Sequence, residues 1–308
     1  MNYLKLIRYQ NLLLIAIMQL IVRFSFLEQI NIPLSLFYWQ YTLLIVATVL
    51  IAAGGYIIND IFDLEIDTIN KPNQVIVGKN ISENHAYILY AVLTILGVAC
   101  GFILANTVAH PNLAVLFVLI ATLLYFYAST LKKIAVLGNI VVALLIAFSV
   151  LIIGIFDIYP NTFEVNRNQM YVAFSILLDY AVFAFIINFI REIVKDLEDV
   201  LGDKQAEYQT LPNVIGISKT CKILFVLIIG FIGYVLHYCN TFLMQNDLYY
   251  ATIYIFLTVV APLLFCAIKI INAREKSEFY QLSNVLKWIL FFGILSITVI
   301  NFNVNHNA

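Results

Sequence analysis

Nine times along the chain a nearly unbroken apolar run reaches the length needed to cross a bilayer, and the polar residues collect in short clusters between runs. The runs lie at Asn11–Leu27, Tyr41–Asn59, Ala86–Asn106, Leu113–Leu131, Val136–Phe156, Tyr171–Ile190, Ile223–Asn240, Tyr249–Ile271 and Val285–Val299. Each predicts an α-helix, because a helix satisfies its own backbone hydrogen bonds in hydrocarbon. The expected fold class is all-α, a polytopic membrane protein with nine transmembrane helices. No Ser- or Pro-rich linker and no low-complexity tract interrupts the pattern, so residues 1–308 are expected to form a single domain. No small-residue cleavage site follows the first run, which carries Arg23, and it is expected to be a retained helix rather than a signal peptide.

Composition agrees with this reading. Hydrophobic residues make up 63% of the chain and charged residues only 11%, and the mean hydropathy is +0.94, which excludes an ordinary soluble domain. The few basic residues are distributed unevenly. Lys5 and Arg8, Lys71 and Lys79, Lys132 and Lys133, the segment from Arg191 to Lys222, and the segment from Arg274 to Lys287 all fall on one side, while the alternate loops hold little besides Arg167. The positive-inside rule therefore places the N-terminus in the cytoplasm and the C-terminus outside. The net charge of −1 points to no partner, and no nucleic-acid signature is present.

Two of the polar clusters are alike. The second run ends in Asp60, Asp63 and Asp67, and the sixth ends in Asp196, Asp199 and Asp203, each set at i, i+3 and i+7. At 100° per residue, three acids so spaced lie within about 60° of one another on one helix face. The same periodicity adds Asn188 and Glu192 to the second ladder, so a polar stripe descends into the bundle. The ladders stand four spans apart, as an ancient four-helix duplication would leave them. A single D-x-x-D reads as a solvated loop, but two ladders of one spacing on one membrane face favour bound cations. Carboxylate oxygens suit Mg²⁺, which keeps waters and is completed by substrate phosphates. Two such ions would neutralise a diphosphate and stabilise it as a leaving group.

The strings Asn59-Asp60-x-x-Asp63-x-x-x-Asp67-x-x-Asn70-Lys71-Pro72 and Asp196-x-x-Asp199-x-x-x-Asp203, the latter followed by Thr210-Leu211-Pro212, resemble the two signature motifs of the UbiA superfamily of intramembrane prenyltransferases. Tyr127-Ala128-x-x-Leu131-Lys132-Lys133 with Gly138-Asn139 is similar to the loop after that family's fourth helix. The resemblance implies a helical bundle around a central cavity in which Mg²⁺ holds a polyprenyl diphosphate while the prenyl group passes to an acceptor. It implies that Asn59, Asp63 and Asp67 serve one ion and Asp199 and Asp203 the other, with Asp60 and Asp196 in support. Lys132, Lys133 and Tyr127 would meet the diphosphate. The chain departs from the family at Asn73-Gln74-Val75, where a basic residue and Pro usually follow; Lys71 or Lys79 is expected to replace that charge, and Lys204 joins the substrate-binding set.

Within the superfamily, the pattern from Arg191 to Asp203 is most similar to the digeranylgeranylglyceryl phosphate synthase branch, whose acceptor is a glycerol-phosphate lipid; an aromatic acceptor stands second. A terpene cyclase would use the same metals but no acceptor. An ion transporter would place its ligands near the bilayer midplane, unlike these ladders. The polar stripe through Asn188 and the Lys132-Lys133 loop are expected to receive the acceptor's head. Tyr56, Phe62, Tyr125 and Tyr127 lie at the right level to face an allylic cation, although none is singled out. Cys100, Cys221, Cys239 and Cys266 show no metal spacing. Arg23 and Asp179 both fall within spans, and a salt bridge between the first and sixth is expected. The site should face the cytoplasm of a bacterial or archaeal cell membrane.

Overall fold

The structure is a computed structural model that describes residues 2–73 and 75–307. Gln74, where the basic residue of the family pattern is missing, lies outside the described residues. Among the described residues nine helices are long and apolar enough to span a membrane. These are α1 (Tyr9–Leu27), α2 (Tyr38–Phe62), α4 (Glu83–Thr107), α5 (Pro111–Ser129), α6 (Leu137–Asn161), α7 (Arg167–Glu198), α9 (Ile217–Asn246), α10 (Tyr249–Asn272) and α11 (Lys276–His306). Two short helices, α3 (Leu64–Asn70) and α8 (Val200–Gln205), follow α2 and α7. No strand occurs among the described residues beyond an isolated bridge between Val77 and Ile81.

The nine expected spans are all present, and most run past their apolar cores. Helix α2 begins at Tyr38 and α11 at Lys276, well before Tyr41 and Val285. A helix carries its own hydrogen bonds into the interfacial layer, so polar residues there extend it without exposing backbone.

Helix α7 organises the packing. Its first half, including Met170, Ala173 and Leu177, is buried with α1, α2 and α6, whereas its second half, including Ile187, Ile190 and Val194, is buried with α9, α10 and α11. Small residues set the closest approaches, as expected where lipid leaves association to van der Waals contact. A Cβ on Gly97 of α4 would stand 2.7 Å from Ile51 Cγ1 and 3.2 Å from the Ala47 carbonyl oxygen of α2. A third, smaller core of Leu6, Ile57, Ile58, Ile61, Val77, Ile81, Ala86 and Ala128 ties the N-terminal turn and the 75–81 loop to the ladder end of the bundle.

The expected Arg23–Asp179 bridge is not formed. Arg23 instead pairs through Nη1 with Asp157 at the end of α6, and its Nε lies 3.2 Å from Glu28. Asp157 also accepts from Leu36 N at 2.9 Å, and Arg23 Nη2 donates to the Leu36 carbonyl at 2.9 Å. Asp157 escaped the sequence reading because it directly follows the fifth apolar run, which ends at Phe156. Asp179 lines a separate small cavity of about 60 Å³ with Tyr180, Tyr234 and Tyr238.

Candidate active site

The acid ladders do not lie on continuous helix faces. Each helix kinks at its middle acid: Asp63 separates α2 from α3 with φ −93° and ψ 3°, and Asp199 separates α7 from α8 with φ −102° and ψ 9°. Both conformations fall in the sparsely populated bridge region, where active-site residues recur. Backbone bonds still cross each kink, with Asp67 N donating to the Asp63 carbonyl at 2.8 Å and Asp203 N to the Asp199 carbonyl at 3.1 Å. Neither Gly nor Pro marks the kinks, so nothing in the pattern announces them.

The kinks bring α3 and α8 together. Gly202 N donates to Asn70 Oδ1 at 3.0 Å, and a Cβ on Gly202 would stand 2.4 Å from Asn70 Nδ2. A larger residue there would have to displace the Asn70 amide that bonds Gly202 N. Lys71 Nζ lies 2.6 Å from Asp199 Oδ2, while Lys276 Nζ donates to the Asn70 carbonyl at 2.6 Å and stands 3.6 Å from Asp199 Oδ1. The two motifs thus form one site.

Cations and amides hold most of the acids. Asp63 accepts from Asn59 Nδ2 at 2.8 Å and pairs with Lys132 at 2.5 Å. Asp60 pairs with Arg8 at 2.8 Å, and Asp196 accepts from Asn139 Nδ2 at 2.9 Å. Lys132 is held close because Gly138 lets the loop press on α6; a Cβ there would be 2.8 Å from Lys132 Cα. Lys133 is exposed, with its ammonium 5.6 Å over the Tyr208 ring, and Lys204 is exposed with no bonded partner among the described residues.

Asp67 and Asp203 have no bonded side-chain partner among the described residues, and their acidity reflects it. Burial, then the Asp63 and Asp60 carboxylates, push Asp67 up to about 6. Burial, then Asp199 and Asp63, push Asp203 up to about 7. The Asp63 contribution to Asp203 agrees with the Gly202–Asn70 and Lys71–Asp199 contacts that bring the ladders together. Burial also lowers the Lys132 ammonium, despite Asp63. For Lys71 burial acts downward as well, but Asp199, Glu198 and Asp67 together outweigh it and the group is raised.

Among the described residues no three His, Cys, Asp or Glu side chains converge closely enough to hold an ion by themselves. The donor set nevertheless fits Mg²⁺. Its members are hard oxygens, Asp199 Oδ1 is buried with no hydrogen-bond partner, and an octahedral ion keeps waters and takes substrate phosphates rather than a full protein cage.

A cavity of about 290 Å³ enters the bundle beside this site. Its polar end is lined by Arg8, Asn59, Tyr127, Asn188, Arg191, Glu192, Lys195 and Lys287, and its deep end by Met18, Ile21, Phe117, Phe148, Ile152 and Ile294. Asn59 therefore joins the cavity to the first ladder. Of the four candidate rings, Tyr56 and Tyr127 line the cavity, whereas Phe62 and Tyr125 pack edge to face against each other at 5.8 Å. Lys71, Lys132, Lys133 and Lys204 are absent from its wall. In their place stand Arg8, Arg191, Lys195 and Lys287, which entered the sequence reading through the topology and, for Arg191 and Lys195, through the family resemblance. Lys287 carried a signal of its own, since it falls inside the last apolar run.

The fold and the motifs are shared with known proteins. Residues 15–295 match the UbiA prenyltransferase family. The chain is 32% identical over 249 residues to a digeranylgeranylglyceryl phosphate synthase of Sulfurisphaera tokodaii, covering 79% of this chain and 81% of that one. It is 31% identical over 257 residues to the synthase of the same name from Methanothermobacter thermautotrophicus, covering 81% of each. A solved digeranylgeranylglyceryl phosphate synthase structure superposes with a TM-score of 0.63 at 24% identity, over 97% of both chains. A UbiA homologue from Archaeoglobus fulgidus, bound to GPP and Mg²⁺, superposes with a TM-score of 0.53 at 15% identity, over 96% of this chain and 99% of that one. The structures share the fold, and the family match spans nearly the whole chain: it belongs to the UbiA prenyltransferase family.

Proposed function

We propose that this chain attaches a prenyl group, drawn from an allylic prenyl diphosphate, to a glyceryl phosphate that already carries one prenyl chain. The observation that carries this reading is the meeting of the two ladders beside a cavity that is polar at the mouth and apolar in depth. The names of the relatives support the product class, and the ligands of the Archaeoglobus fulgidus homologue support the donor and the metal.

Asp63, Asp67, Asp199 and Asp203, with Asn59, would hold Mg²⁺, which when bound neutralises the diphosphate and stabilises it as it leaves. Asp60 and Asp196 support the cluster through Arg8 and Asn139. Lys132 and Lys71, each within hydrogen-bond distance of a ladder acid, would meet the same diphosphate. The deep apolar wall takes the donor's chain and excludes water. The allylic carbon–oxygen bond breaks with its electron pair leaving on the pyrophosphate. A new carbon–oxygen bond forms to the acceptor hydroxyl, whose proton is released. Tyr56 and Tyr127 offer ring faces to the developing cation without supplying a nucleophile.

The side on which the basic residues cluster supports a cytoplasmic N-terminus and a cytoplasmic site, the archaeal relatives support an archaeal membrane, and the continuity of the packing supports one domain over residues 1–308. The test is mass spectrometry of products from purified protein with Mg²⁺ and panels of prenyl diphosphates and acceptors. A prenylated glyceryl phosphate is the expected product. A cyclised terpene formed without acceptor, or transfer to an aromatic acceptor alone, would overturn the assignment.

A further inference from the structure

The cavity mouth carries more positive charge than the ladders explain. Arg191 and Lys195 lie four residues apart on α7, roughly 60–100° around the helix from Glu192 and the ladder face. Both lean on Glu192, at 3.5 Å and 3.0 Å. Arg191 also reaches across to α11, where its Nε donates to the Ser283 carbonyl at 3.2 Å. One turn further along α11 stands Lys287, half-buried in the cavity wall, with no hydrogen bond or ion pair to any described residue. On the cavity wall these three cations stand with a single acid, Glu192, which pairs with Arg191 and Lys195 but not with Lys287, and Arg8 is already committed to Asp60.

Uncompensated charge inside a membrane protein is costly and marks a ligand or its path. The excess of cations on the wall suits a phosphate monoester, which carries close to two negative charges. The wall below them matches a lipid. Leu290, Phe291 and Ile294 follow Lys287 at i+3, i+4 and i+7, so an apolar groove runs down α11 directly beneath the unpaired ammonium. On α7 the buried Asn188 Nδ2, one turn before Glu192, is a cavity-wall donor with no protein acceptor.

We propose that Arg191, Lys195 and Lys287 form the subsite for the phosphate of the acceptor lipid, whose chain lies along Leu290, Phe291 and Ile294. This rests on the acceptor class proposed above. It moves the acceptor's head away from the Lys132-Lys133 loop, because Lys132 is engaged by Asp63 and Lys133 points to Tyr208. The diphosphate of the donor and the phosphate of the acceptor are then read by different cations, which lets both substrates be bound at once.

The experiment compares wild type, Lys287→Gln and Lys287→Arg in detergent, using a prenyl glyceryl phosphate, its dephosphorylated counterpart and a prenyl diphosphate as probes. Direct binding by calorimetry is measured alongside KM for each substrate. Lys287→Gln is expected to weaken the phosphorylated acceptor about 10- to 100-fold, the worth of one charge-assisted contact. It should leave the dephosphorylated acceptor and the donor unmoved, and Lys287→Arg should restore most of the loss. If the donor weakens instead of the acceptor, the cluster serves the diphosphate and the proposal is wrong. If neither substrate responds, the charges are ornamental and the proposal is equally wrong. Failure of the functional assignment looks different: wild type would then transfer nothing to the glyceryl phosphate, while Lys287-dependent binding of that lipid would still establish the subsite.

Discussion

At the end of the bundle away from the ladders, Arg23 meets Asp157, and the surrounding backbone completes the pair: Leu36 N donates to the carboxylate and the Leu36 carbonyl accepts from the guanidinium. At the ladder end six acids crowd between α2–α3 and α7–α8, and two of them, Asp67 and Asp203, have no bonded side-chain partner among the described residues. Both regions bury charge in the same chain. One resolves every charge locally and so holds helices together, whereas the other leaves charge unresolved for ligands to satisfy. Strain of this kind is tolerated at functional sites because the rest of the fold over-determines them.

The sharpest way to break the comparison is at Arg23. Its side chain is 6% exposed and that of Asp157 is fully buried, so Arg23→Ala strands an acid in the bundle and should cost about 3–5 kcal/mol. Detergent unfolding monitored by circular dichroism measures this. Asp157→Ala should cost a similar amount, and Arg23→Met with Asp157→Leu should recover much of it. Arg23→Ala and Asp179→Ala, by contrast, should add independently within about 0.5 kcal/mol. Strong coupling of Arg23 to Asp179 would contradict the pairing described here.

The ladder end should respond in the opposite sense. Asp63→Ala or Asp199→Ala is expected to lower turnover at least 10²–10³-fold, roughly the loss seen when a group stabilising transition-state charge is removed, while the protein stays folded in detergent. Chelation of Mg²⁺ should do the same to wild type. Asp203→Asn should melt above wild type in chelator at pH 8, since it removes a buried charge that Asp199 and Asp63 oppose. Near-normal turnover by either alanine variant at limiting Mg²⁺ would dismantle the two-ladder site.

The sequence disclosed these two regions unequally. Nine spans and both ladders are periodic features, and periodicity survives in one dimension: the acids recur at helical spacing and the runs have bilayer length. The partners are another matter. Arg8 and Asp60, Lys71 and Asp199, and Arg23 and Asp157 come from different elements, and no spacing rule connects them. Asp157 was missed because it stands one residue beyond an apolar run, while Lys287 was counted only toward topology although it lies inside one. The kinks at Asp63 and Asp199 were hidden because the flanking residues favour helix on either side, and only the packing of α3 on α8 requires the bend.

Gly202 probes that packing. A methyl group at this position meets the Asn70 side chain at 2.4 Å, so Gly202→Ala should turn the Asn70 amide aside, break its bond to Gly202 N, loosen α8 from α3 and cost about 1–3 kcal/mol. Turnover should fall with it, because the ladders separate. Adding Asn70→Ala should relieve the clash and regain part of the stability but not the turnover, since the Asn70–Gly202 hydrogen bond remains lost. Equal stability of wild type and Gly202→Ala would mean that the two motifs are not held together at this point.

The smallest effect is graded with pH, and it separates the two regions without mutation. Asp67 and Asp203 are raised to about 6 and about 7, well above the ordinary value of about 3.9 that the unfolded chain shows. In the absence of Mg²⁺ the native state therefore binds more protons than the unfolded state between pH 4 and 7. The stability these acids contribute is complete below pH 4 and disappears as pH rises through 6 and 7. The ion competes with those protons, so Mg²⁺ affinity should strengthen across the same interval, by about tenfold per pH unit for each proton displaced. Unfolding temperatures at pH 5.5, 6.5 and 7.5, with chelator and with saturating Mg²⁺, give both quantities: the chelator curve should fall and the gap between the curves should widen. A gap that stays constant with pH would show that Asp67 and Asp203 bind no ion, and that their burial belongs with that of Arg23 and Asp157 as part of the scaffold.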